Sequence, residues 1–79
     1  MIDRLSFDPK AKELASRSSG TIEVALLWSR RAGRAAVVVH DDSTDEEFVL
    51  EIAPGDDPLD VYEHPYAYAA RARAAARTS

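Results

Sequence analysis

His40 and His64 are the only imidazoles in this chain, and each has carboxylates close by in sequence. A catalytic or metal site built on them would need both rings to converge with a carboxylate. The expected strand pattern puts His40 on the sheet face opposite the core, and Pro65 puts His64 at a helix break, so convergence is not expected. Neither ring has a nucleophile to activate, because the chain has no Cys and no Ser in a nucleophile-elbow setting. The run Asp41-Asp42-Ser43-Thr44-Asp45-Glu46 spaces oxygens like a calcium loop. An EF-hand needs Gly at the sixth position and Glu at the twelfth, where this chain has Glu46 and Ile52. Gly20, Gly33 and Gly55 are too scattered to build a phosphate-binding loop. No catalytic residue, cofactor site or metal site is assigned, and the reading leans away from an enzyme.

Binding chemistry has better candidates. Arg30, Arg31 and Arg34 cluster where a tight connection is expected, and such a tip can meet phosphate or an acidic partner. Nucleic acid is the less favoured partner. Trp28 would serve as a stacking platform only if exposed, and the strand pattern assigns it to the core. A second candidate is the aromatic segment from Tyr62 to Tyr68. Core packing accounts for Tyr62 and Tyr66, whereas Tyr68 lies off that stripe and joins His64 as a candidate ligand-binding pair, with Tyr66 beside them.

Three runs with a period of two must position these groups. Ile22, Val24, Leu26 and Trp28 alternate with their neighbours, as do Ala35, Val37 and Val39, and then Phe48, Leu50 and Ile52. Short connections between them imply a three-stranded antiparallel meander. A two-residue Ala32-Gly33 loop would set Trp28 opposite Val37 and Leu26 opposite Val39, and a four-residue loop would keep the same parity. Downstream, Asp57 as cap, Pro58 at the first helical position and Asp60 in the first turn start a helix. Leu59, Tyr62 and Tyr66 give it an apolar stripe, and Pro65 kinks it. Near the N-terminus, Asp8-Pro9 and Gly20 bracket a short helix or a mobile arm over 10–17.

The fold class is therefore α+β, a three-stranded antiparallel meander with a C-terminal helical segment on one face and a short N-terminal helix as an option. The expected organisation is an arm over 1–19, a compact unit over 20–70 and a fraying Ala/Arg-rich tail over 71–79. Leu27 and Val38 would leave a small apolar patch, flanked by Val49, on the face away from the helix. That patch and the three arginines are the candidate partner-binding residues, for a protein partner or a weak homodimer.

Charge points the same way. Ten acids and no Lys or Arg lie between His40 and Pro65, while residues 1–39 carry seven bases against four acids and residues 66–79 carry three Arg and no acid. A polarity of this kind steers partners more than it shapes a fold. No apolar leader follows Met1, so a cytoplasmic protein without membrane association is the expectation.

The hairpin Leu26-Leu27-Trp28-Ser29-Arg30 through Gly33-Arg34, the strand Phe48-Val49-Leu50-Glu51-Ile52 and the ending His64-Pro65-Tyr66-Ala67-Tyr68-Ala69 resemble those of small uncharacterised proteins from high-GC Gram-positive bacteria. The likeness covers roughly residues 21–70. It implies one compact unit with variable ends and, since no activity is assigned to that family, carries over no functional residue.

Overall fold

The computed structural model describes residues 7–78, with side chains as far as residue 75. Strands β1 (Lys12–Ser19), β2 (Ile22–Ser29), β3 (Arg34–Asp41) and β4 (Glu46–Glu51) form one antiparallel sheet in the order β1-β2-β3-β4. Helices α1 (Pro58–Glu63) and α2 (Pro65–Thr78) follow. The α+β class and the meander are as expected, but the sheet has four strands rather than three.

The added strand occupies the segment expected as a helix or arm. Asp8 does begin a turn, accepting from the Lys10 N–H through its side chain and from the Ala11 N–H through its carbonyl, both at 2.9 Å. That turn does not propagate. Ser16, Ser18 and Ser19 are indifferent helix formers, and Gly20-Thr21 folds the segment back onto β2. Gly20 takes φ 60° while Thr21 stays at negative φ, the type II′ pattern that matches sheet twist. The pairing slips once, at a bulge between Glu13 and Ala15. Of the 1–19 arm, residues 1–6 lie outside the described residues, and 12–19 are an integral strand.

Residues 30–33 connect β2 and β3, so the register differs by two residues from a two-residue loop. Trp28 faces Ala35, and Leu26 faces Val37. An even offset leaves every side chain on its expected face. Gly33 closes this loop at φ 66°, its N–H donating to the Ser29 carbonyl at 2.9 Å.

Both faces of the sheet carry a core. On one, Val24, Leu26, Ala35, Val37 and Val39 meet Val61 of α1, ringed by Phe48, Leu50, Tyr62 and Tyr68. On the other, Ala25, Leu27 and Val38 are buried with Ala11, and Phe7 packs against them. Leu27 and Val38 are 0 % exposed, so the expected apolar contact patch is interior. The chain before β1 closes this face, anchored by the buried Asp8, whose Oδ2 accepts from the Ser29 hydroxyl at 2.7 Å. Strand alternation alone cannot distinguish a one-sided from a two-sided strand when both sets are small and apolar, as Ala25, Leu27, Ala36 and Val38 are.

Three aromatic or aliphatic positions differ from expectation. Trp28 is 39 % exposed, Leu59 58 % and Tyr66 50 %, while Val61 and the half-buried Tyr62 and Tyr68 face the sheet. The single stripe assumed one helical axis. Pro65 holds His64 at φ −129°, ends α1 after six residues and starts a second helix, which turns Tyr66 outward and Tyr68 inward.

Candidate functional site

The two histidines lie on opposite faces of the sheet. His40, 9 % exposed, shares its face with Glu23 and Glu47, its partners in the flanking strands. Its Nε2 is 3.0 Å from Asp42 Oδ1 and 3.6 Å from Asp45 Oδ1, while Nδ1 lies 3.9 Å from Glu47 and makes no hydrogen bond. Among the described residues no three His, Cys, Asp or Glu side chains are arranged to hold one metal ion. His40 is thus enclosed at the acidic end of that face by the carboxylates of Asp42, Asp45 and Glu47.

His64 sits over the other face, at the joint of the helices. Its N–H donates to the Asp60 carbonyl at 2.9 Å, completing α1. Beside it lies a groove of about 380 Å³ between the β1 edge and the joint, floored by Ile22 and Val24 and walled by Arg17, Pro65 and Tyr66. Arg17 holds the edge to the joint: its Nη2 donates to the Tyr62 carbonyl at 2.8 Å and the Glu63 carbonyl at 3.3 Å, and its guanidinium lies 5.2 Å from the Tyr62 ring centre. Tyr66 packs edge to face on Phe48, with centroids 5.5 Å apart.

Tyr68 does not join His64. It lines a separate groove with Leu50, Val61 and Arg71, and its hydroxyl donates to Asp60. That hydrogen bond, with burial and the nearby Asp60 charge, raises the phenol above its ordinary pKa. The Arg71 guanidinium lies 4.8 Å from the Tyr68 ring centre. The candidate pair is therefore split, and Tyr66 is the tyrosine that accompanies His64.

The tip arginines also divide. Arg34 pairs with Glu51 across the strands at 3.3 Å, while Arg30 and Arg31 line a cleft of about 420 Å³ with Lys10 and Asp8. Asp8 is committed: the Ser29 hydroxyl, then the Lys10 N–H, then the charges of Arg31 and Lys10 hold its carboxyl below the usual carboxylate range. Lys12 stands opposite Trp28 at the same end. Of the carboxylates there, Glu51 serves Arg34 and Asp57 caps α1 by accepting from the Leu59 N–H at 3.1 Å, which leaves Lys10, Lys12, Arg30 and Arg31 against Glu13 and Asp56.

The far end of the sheet is acidic. Asp41 organises the β3–β4 turn, accepting from the Ser43 hydroxyl at 2.7 Å, the Ser43 N–H at 2.9 Å and the Thr21 hydroxyl at 2.9 Å, and these bonds lower its pKa. Asp42, Asp45, Glu46 and Glu47 complete that end with Glu23. The lysine contributions and the exposure of Trp28 were missed from sequence. The Gly20-Thr21 hairpin signal would have revealed β1, and with it the position of Lys12 opposite Trp28.

Comparison with protein-family models, curated proteins and solved structures finds no match to this chain. No helix among the described residues is long and apolar enough to cross a membrane.

Proposed function

We propose that this chain is a non-catalytic interaction module that takes an acidic protein segment at the Arg30/Arg31 end of its sheet. The observation that carries this reading is the half-exposed Trp28, directly opposite Lys12 and at the end where Arg30, Arg31 and Lys10 project. The indole lines a cleft with Arg34, Glu51 and Asp56, next to the separate Arg30/Arg31/Lys10 cleft, so this end offers a large, rigid contact surface with charge close by to orient a partner. The acidic opposite end steers the same partner toward this one. Arg34, already paired with Glu51, stiffens the tip more than it recruits.

The same exposure of Trp28 favours one second reading, single-stranded nucleic acid stacked on the indole and held by the arginines. The carboxylates at the far end oppose a long polyanion. Trp28 is the chain's single tryptophan, so its emission reports on this surface directly. Poly-glutamate at low salt is expected to shift that emission, with the shift lost in Arg30→Glu/Arg31→Glu and weakened by salt. A shift with oligo-thymidylate alone selects the nucleic-acid reading. Emission unmoved by either polymer at low salt refutes both.

A further inference from the structure

We infer that the acidic partner segment binds as a fifth strand on the open edge of β1, with a large apolar side chain seated in the groove beside His64 and Tyr66. This inference rests on the acidic-partner reading above and adds how and where the segment lies. Among the described residues β1 pairs only with β2, so its outer row of peptide N–H and C=O groups faces solvent. All of its side chains but the half-buried Ala15 are exposed.

The helices leave room for an added strand. α1 lies mainly against β2 and β3 and α2 against β4, and Arg17 reaches from β1 to the Tyr62 and Glu63 carbonyls, so the helical layer is centred away from the β1 edge. The groove is the step where that layer ends, with Ile22 and Val24 as its apolar floor. A strand added about 4.8 Å beyond β1 projects alternate side chains onto this face. The floor on β2 lies two strand spacings, about 9.6 Å, from such a strand, so only a long or aromatic side chain leaning over β1 would reach it. Strand addition combines main-chain hydrogen bonds for affinity with such pockets for specificity.

Charge fixes the occupant and its layout. Cations gather at one end of the edge, Lys10 and Lys12 with Arg30 and Arg31 beside them. The groove lies at the other end, by Arg17 and Ser19. From Lys12 to Ser19 an extended chain spans roughly 23 Å at about 3.3 Å per residue. The segment that fits is extended, acidic at one end, and carries an aromatic anchor about six residues away. The bulge at Leu14 interrupts the ladder between the two, so regular pairing falls on Ala15 to Ser19.

The test uses the full chain and short synthetic peptides bearing an acidic triplet and, about six residues on, a Phe, in both chain directions. Binding is expected to shift the amides of Ala15 to Ser19 and to protect the alternate ones among them that do not already donate to β2, in heteronuclear NMR with hydrogen exchange. Replacing the peptide's Phe by Ala, or N-methylating its backbone, should each weaken binding about tenfold, since each removes on the order of 1.4 kcal/mol. Both changes are made on the peptide, so the fold of the protein is untouched. Equal affinity for the N-methylated peptide, or shifts confined to Trp28, Arg30 and Arg31, overturns strand addition while leaving acidic docking in place. Absence of any binding, with Trp28 emission also unmoved by poly-glutamate, overturns both.

Discussion

Leu27→Ala separates a two-sided core from a one-sided sheet with an apolar contact patch. Leu27 is 0 % exposed on the central strand β2, in a cluster with Ala25, Val38 and Ala11. Truncation to Ala removes three buried carbons, worth about 2.4 kcal/mol at about 0.8 kcal/mol each. The unfilled space adds to this, and measured Leu→Ala costs run from about 2 to 5 kcal/mol. Strands β1 and β3 flank β2 and cannot close in. The cover over Leu27 is the short segment Phe7 to Ala11, which can settle, so the lower half of the range, about 2.5–3.5 kcal/mol, is expected. Leu59→Ala is the control, because Leu59 is 58 % exposed and should change stability by no more than about 0.5 kcal/mol. Urea unfolding read by far-ultraviolet circular dichroism measures both. A Leu27→Ala cost under about 0.5 kcal/mol, or a larger cost for Leu59→Ala, would refute the second core.

Gly33→Ala should cost about 1–2 kcal/mol, although a Cβ there meets nothing within 4 Å, because φ 66° is unfavourable for any residue with a side chain. Urea midpoints compared with those of the wild type test this, and an unchanged midpoint would mean that the loop relaxes to another turn. The lowered pKa of Asp8 ties the closing segment to pH. Its contribution is fully present above the unfolded-state value near 4 and is lost as pH falls through the lower folded value, so stability should drop as the pH is lowered below about 4. Asp8→Asn should flatten that portion of the stability curve, and an identical acid slope in both proteins would remove Asp8 from the account.

Local chemistry made several elements legible in the residues alone. The alternation in β2, β3 and β4 survives in the structure because a period of two places side chains whatever the loop length, and the two-residue register difference leaves parity intact. Asp57-Pro58 starts α1 and Pro65 stops it, since capping and proline geometry act within one turn. The grouping of Arg30 and Arg31 at a loop tip was equally readable.

Tertiary structure decided the rest. Lys12 to Ser19 has no strong preference, and becomes β1 because β2 has an edge to fill and Gly20-Thr21 returns the chain to it. Nothing local marks the face of Leu27 and Val38 as interior, since its cover arrives from a segment before β1 held by the Asp8–Ser29 bond. Trp28 and Tyr66 looked like core and are exposed, because the helical layer ends before one and turns at Pro65 beside the other. Residue types and spacing therefore determined β2, β3 and β4, the helix cap and the charges. Which faces are covered, and so which side chains remain available to a partner, depended on packing between segments far apart in the chain.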